Sequence, residues 1–197
     1  MQAKISRQPL FKSKFLILLI GESGSGKTTL ANQLNKQYGL KILNSYTTRP
    51  KRYEDESGHV FITEEEAEQI TTHDRVVADT IFDGHLYFAT WEQIDDADVY
   101  IVDPDGFRKL LKNYYGNKKL VAFFINTDEK TRRQRMRDRG DTDDQIEKRI
   151  KHDLVVFPRI PNHSIDMILN GKKSPEKLAR IVMRHVKILD WWWSLNE

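Results

Sequence analysis

The chain predicts an α/β fold in three layers, with a central parallel sheet between helices. Two observations carry this. Short apolar runs alternate with helix-like segments along most of the 197 residues, and such alternation builds a parallel sheet covered on both faces. The first apolar run, Phe15 to Ile20, ends directly on the glycine-rich octet Gly21-Glu22-Ser23-Gly24-Ser25-Gly26-Lys27-Thr28, which opens a helix. Strand, glycine loop and helix in that order make one βα unit.

The elements follow in order. Residues 1–13 read as an exposed leader. Lys12 and Lys14 before an apolar run resemble the start of a signal peptide, but the run has six residues, short of the roughly 7–15 such a segment needs. No stretch approaches the ~20 apolar residues of a membrane span. Core strands are expected near 15–20, 41–44, 99–102, 120–125 and 166–169. Helices are expected near 27–38, 106–114, 128–137, 143–151 and 175–189. The last has Ser174 as N-cap, Pro175 at the first helical position and Glu176 in the first turn.

Two segments break the alternation. Residues 45–90 are polar, with strand-like pieces at 59–63, 75–79 and 86–89, and with a short helix starting at Thr63, where Glu66 completes a capping box. This segment reads as a substrate-binding insert. Residues 130–149 are dense in arginine and aspartate and read as a short lid. The domain is therefore expected to span 14–197 as one unit, with a core of 14–44 and 91–197.

Composition narrows the function classes. Charged residues make up 31% and apolar ones 39%, as in a soluble globular domain. A net charge of +3 gives no general signal for nucleic-acid binding. With no cysteine, disulfides, thiol catalysis and Cys-ligated zinc are excluded, which fits a reducing, cytoplasmic setting. His59, His73 and His85 have no metal-ligand spacing and are expected at the surface. Trp191, Trp192 and Trp193 cannot share one helix side; some are expected to pack on the core, and exposure of the rest would suggest a dimer contact. Monomer and homodimer both remain open.

The octet satisfies G-x-x-x-x-G-K-[ST], a phosphate-binding loop. Backbone N–H groups of such a loop turn inward around phosphates, and glycine is needed where a Cβ would block the close approach. Gly21, Ser23, Gly24, Ser25, Gly26, Lys27, Thr28 and Thr29 are the expected nucleotide contacts. Lys27 would reach the β- and γ-phosphates, and the Thr28 hydroxyl would ligate Mg²⁺. Asp103 ends an apolar strand, where an aspartate can hold the same metal. Asp105 reads as a helix cap or a substrate contact. Arg49 and Arg52 lie three apart on a loop and suit a bidentate clamp on one phosphate. Arg132, Arg133, Arg135, Arg137 and Arg139 crowd one short stretch, and helical spacing puts Arg132, Arg135 and Arg139 on one face.

The order of these motifs resembles the guanylate kinase family: the octet, then Thr47-Thr48-Arg49-Pro50 with Arg52, then Arg139-Gly140 with further arginines. The resemblance spans roughly 15–188. It implies the P-loop nucleoside monophosphate kinase fold, with an acceptor-binding insert, a short lid, and ATP with Mg²⁺ as donor. Ser45, Arg49, Arg52 and Tyr87 then correspond to acceptor-phosphate contacts. Arg135, Arg139 and Arg149 match the family's R-x-x-x-R-G and a following arginine. With Lys27 they form the catalytic set that would close over the transferring phosphoryl group. Departures fall in the base-reading region. The family's strand tyrosine is missing, with His59 or Val60 near its place. Ala78 occupies the aligned position of the guanine-reading carboxylate and Asp79 is one residue off, while Asp105 remains as the second carboxylate.

The resemblance thus implies ATP-dependent phosphorylation of a nucleoside monophosphate, GMP or dGMP first. Ribose bisphosphate kinases of phosphonate metabolism are also similar, with a shortened, histidine-bearing insert like Gly58-His59. A non-catalytic guanylate kinase-like binding module is a third reading, and a hydrolytic ATPase a fourth.

Overall fold

The computed structural model describes residues 14–195 apart from 52, 53, 55 and 57. The leader expected over 1–13 lies outside the described residues. In chain order the elements are β1 (Phe15–Ile20), α1 (Lys27–Tyr38), β2 (Ser45–Thr47), β3 (His59–Phe61), α2 (Glu64–His73), β4 (Val76–Phe82) and β5 (His85–Thr90). They continue with α3 (Trp91–Asp96), β6 (Val99–Ile101), α4 (Pro104–Asn113), β7 (Lys119–Asn126), α5 (Glu129–Asp138), α6 (Asp143–Val156), β8 (Met167–Asn170) and α7 (Pro175–Ser194).

The core sheet runs β6-β1-β7-β8 and is parallel throughout. All six residues of β1 are buried, because alternate side chains feed two separate apolar layers. Phe15, Ile17 and Leu19 join Leu30 and Leu34 of α1 and Leu178, Val182 and Val186 of α7. Leu16, Leu18 and Ile20 join Val77, Ile94, Phe107 and Leu110 on the other side. These are the three expected layers. The strand expected at 41–44 is absent as such. Ile42 makes only an isolated bridge to Val99, and Lys41 serves as a connector, its N–H held by the Asp98 carboxylate.

The insert is a second four-stranded sheet, ordered β3-β2-β5-β4. Strands β4 and β5 pair antiparallel across Asp83-Gly84, both of which have positive φ (53° and 79°). That is the backbone a two-residue hairpin requires. The helix at Thr63 forms with both halves of its capping box. A second box, Thr90 with Gln93, starts α3, a helix absent from the sequence reading.

Residues 130–149 lie mostly in two helices. They belong to a hairpin of α5 and α6 with its own small core of Met136, Ile146 and Ile150. The last helix runs past the expected residue 189 to Ser194. It carries Trp191, Trp192 and Trp193 into solvent, at 63%, 51% and 37% exposure. The indoles therefore do not pack on the core; Lys119 Nζ sits 3.5 Å from the Trp193 ring centroid. Among the described residues no helix is long and apolar enough to cross a membrane.

Candidate functional site

The site forms where β1 ends and α1 begins. Gly26 occupies the N-cap position of α1, and no side chain caps that helix. The other six α-helices among the described residues each have a side-chain cap: Thr63, Thr90, Asp103, Asp128, Thr142 and Ser174. The first N–H groups of α1 are thus left for an external acceptor, and the helix dipole favours an anion there. Gly24 has φ +75°, and a Cβ there would lie 2.6 Å from the Arg132 carbonyl oxygen. Helix α5 therefore lies directly against the loop's outer side.

Lys27 Nζ folds back over the loop, donating to the Gly21 carbonyl at 2.5 Å and the Glu22 carbonyl at 3.1 Å. Burial lowers its pKa to about 8; Arg139 and Arg132 push the same way, and Asp153 and Asp103 oppose. Thr28 and Thr29 are exposed at the start of α1. The Ser25 hydroxyl is buried without a hydrogen-bond partner.

Asp103 lies two residues past β6 and caps α4, with Oδ1 accepting from the Asp105 and Gly106 N–H groups at 2.9 and 3.0 Å. The cap is Asp103, so Asp105 does not fill that role. Burial raises the Asp103 pKa, against those two donors. No cluster of three or more His, Cys, Asp or Glu suited to a metal exists among the described residues. Thr28 offers a hydroxyl and Asp103 a carboxylate, hard oxygen donors of the kind that Mg²⁺ takes alongside water and substrate phosphates.

Arg135, expected in the lid, is placed elsewhere. Its guanidinium donates to the Ser25 carbonyl at 3.0 Å and, on the other arm, to the Gly171 carbonyl at 2.8 Å. It holds the loop to the β8–α7 turn. Arg139 and Arg149 do come together. Asp141 takes Arg139 in a bidentate pair at 3.0 and 2.5 Å, and Arg149 Nε lies 3.5 Å from the same carboxylate.

On the insert, Arg49 Nε donates to the Tyr87 hydroxyl at 3.0 Å, and its two terminal nitrogens donate to the Glu56 carboxylate at 3.2 and 2.8 Å. Ser45 Oγ is 3.0 Å from His59 Nδ1. The His59 ring meets Tyr87 edge-on, with centroids 5.4 Å apart. His59 is thus half-buried in the site, not at the surface. Arg52 lies outside the described residues. Phe82 touches His152 edge-to-face at 4.7 Å, and Arg149 lies 5.9 Å over the same ring. Phe82 of the insert thus touches the helix that carries Arg149.

The base-reading expectation fares differently. Pairing puts Thr80 opposite Tyr87 and Asp79 opposite Phe88, so alternation sends Asp79 to the other side of the sheet from Tyr87. Asp79 is paired with Lys109 at 2.5 Å, and Asp105 is paired with Arg108. Both carboxylates line one cavity of about 520 Å³ between β4 and α4.

Sequence reasoning did not assign the buried partners of the cations. Glu22 lies inside the octet, yet its role is to take Arg132 Nη2 at 3.1 Å. Asp153, Glu56 and Asp141 carried no signal, since each is one acid among many in a charged stretch. Arg132 was visible only as one member of the arginine face.

A sheet with phosphate loop and insert arranged this way is the α/β fold of the P-loop kinases. In structure the chain is similar to guanylate kinase from Anaplasma phagocytophilum, at TM-score 0.60 and 14% identity, covering 92% of this chain and 88% of that one. It is also similar to shikimate kinase from Acinetobacter baumannii in complex with shikimate, at TM-score 0.49 and 14% identity, covering 89% and 94%. The profile of the AAA domain family matches residues 17–155; the chain belongs to that family. No curated protein matches it.

Proposed function

We propose that this protein transfers the γ-phosphoryl group of ATP to a small acceptor that itself carries a phosphate. The observation that supports this most is the start of α1. Among the described residues it alone of seven α-helices lacks a side-chain cap, and Lys27 and Thr28 occupy its first turn. A phosphate oxygen of the acceptor is already a nucleophile, so no strong base or covalent intermediate is required. Catalysis then reduces to positioning and charge stabilisation. Lys27 and the loop amides would hold the donor phosphates. Thr28 and Asp103 would hold Mg²⁺, which supplies charge neutralisation between the phosphates. Arg49, Tyr87 and Ser45, with Arg52, would hold the acceptor phosphate. Arg139 and Arg149 would offset charge on the group in flight.

GMP and dGMP are the first acceptors to test, from the family resemblance. A compact sugar phosphate is the second reading. It is favoured because Asp79 and Asp105 are each neutralised by a cation and Asp79 lies on the far side from Tyr87. Guanine presents two adjacent donors and needs a free carboxylate. A coupled assay of ADP formation with GMP, dGMP, AMP, dTMP, CMP, UMP and ribose 1,5-bisphosphate tests both. ADP formed at one acceptor-independent rate across all seven would refute the transfer reading.

A further inference from the structure

We propose that Asp153 is a positioning residue that fixes the tip of the phosphate loop and ties it to the α5–α6 hairpin. The proposal deepens the reading of residues 21–28 as a triphosphate site and rests on it.

Asp153 lies late in α6 and is only 4% exposed, as is Arg132 on α5. Asp153 Oδ2 accepts the Ser23 backbone N–H at 2.8 Å and Arg132 Nη1 at 3.3 Å. Its Oδ1 accepts the Ser23 hydroxyl at 3.3 Å. Arg132 spends its other arm on Glu22 at 3.1 Å and also reaches the Ser23 carbonyl at 3.5 Å. Two side chains from two helices thus take hold of the Glu22 carboxylate and of the amide, carbonyl and hydroxyl of Ser23. The backbone of this tip also carries a local bond from the Ser25 N–H to the Glu22 carbonyl, which Lys27 Nζ shares.

A buried ion pair is weak evidence for stability, since apolar residues of the same volume often serve as well or better. Its use here is geometric. The amides of residues 24–28 face the phosphates only if the tip preceding them does not move. Ordering a free tip on binding costs conformational entropy, and a tip fixed beforehand avoids that cost. The same contact reaches the lid. Arg149 and Asp153 are four apart on α6, hence on one side of it. The hairpin cannot swing away from the loop as one body without breaking the Ser23–Asp153 hydrogen bonds and the Arg132–Glu22 ion pair, so lid movement is confined to the turn that carries Arg139 and Asp141.

The test is Asp153→Asn in the full chain, read by calorimetric titration with MgATP and by amide exchange at Ser23. The Asn side chain keeps the volume and removes the charge. The expected results are a Kd for MgATP raised about tenfold and a Ser23 amide that exchanges at least about tenfold faster. A purely structural role would lower the folded fraction while leaving Kd and Ser23 protection in the folded protein unchanged, and that result overturns the proposal. If Asp153→Asn does not fold, the double variant Arg132→Met with Asp153→Leu restores packing without the hold. The same tenfold loss of affinity is expected there, and wild-type affinity overturns the proposal. If the wild type itself binds no MgATP, the triphosphate reading falls and the proposal falls with it. If the wild type binds and Asp153→Asn binds within twofold of it, only the proposal falls.

Discussion

Gly24→Ala separates the backbone demand of the phosphate loop from its crowding. Gly24 sits at φ +75°, with the Arg132 carbonyl oxygen 2.6 Å, and the Arg132 Cα 3.1 Å, from where a Cβ would be. Gly39, which ends α1, has nearly the same φ of +72° and nothing within 4 Å. Each alanine incurs the left-handed penalty of about 1–2 kcal/mol, partly offset by the stiffer unfolded chain. Only Gly24→Ala also meets a helix backbone, which cannot rotate aside as a side chain would. Its Cβ must retreat by about 0.8 Å to reach the 3.4 Å where ordinary contact begins. Forcing extra atoms into packed structure costs about 1–3 kcal/mol. We therefore expect about 1 kcal/mol for Gly39→Ala and about 3 kcal/mol for Gly24→Ala. At roughly 2–4 °C per kcal/mol for a chain of this size, the falls in Tm are about 2–4 °C and about 6–12 °C. A displacement near 1 Å in a positioning loop costs about a hundredfold in rate, so turnover should fall by that order in Gly24→Ala and stay near wild type in Gly39→Ala. Thermal melts and a coupled ADP assay read both. Equal melting temperatures with unimpaired turnover in Gly24→Ala would refute the reasoning.

Three further outcomes are expected. Lys27→Ala should lower turnover by about a hundredfold or more with the melting temperature held or raised, since it removes a buried cation; near-normal turnover in purified protein contradicts the assigned role. The pH dependence should have two opposite signs. Burial lowers Lys27 from 10.5 to about 8, so the unfolded chain holds the extra proton between those values, and this group's contribution to stability rises with pH across that window. Affinity for MgATP should fall over the same window as the ammonium is lost, and titrations from about pH 7 to about pH 10 that show constant affinity would count against it. Glu56→Ala should cost about 1–3 kcal/mol, because it leaves the half-buried Arg49 guanidinium without its carboxylate, with only the Tyr87 hydroxyl and the Pro50 carbonyl as partners. The double variant Arg49→Met with Glu56→Leu should recover most of that in a thermal melt while still losing acceptor-dependent turnover.

The elements legible in the sequence were those whose signals are local. Helix α1 begins at the glycine octet and ends at Gly39, whose left-handed backbone lets its N–H bond the Asn35 carbonyl; both ends were readable. So was the Thr63–Glu66 box. The stretch 41–44 misled because strand status depends on a partner, and only Ile42 finds one. Trp191–Trp193 were read as chain following a helix, yet nothing in that stretch breaks helix, and α7 simply continues through them. The motifs named Lys27, Thr28 and Arg49, and the structure puts the first two in the opening turn of α1 and the third against Tyr87. They did not name Asp153, since it lies 130 positions from the Ser23 amide it accepts, and no local pattern encodes such a contact. Arg135 misled differently: the motif located the residue, but its guanidinium serves the loop's own carbonyls. Asp79 failed on strand parity, where one residue decides the side.

The most direct test of phosphoryl transfer at this loop is MgATP turnover measured with and without each candidate acceptor, alongside Lys27→Ala. The account predicts ADP formation that depends on one phosphate-bearing acceptor, yields its phosphorylated product in equal amount, and collapses in Lys27→Ala. ADP released at the same rate without any acceptor, or turnover indifferent to Lys27, would contradict it.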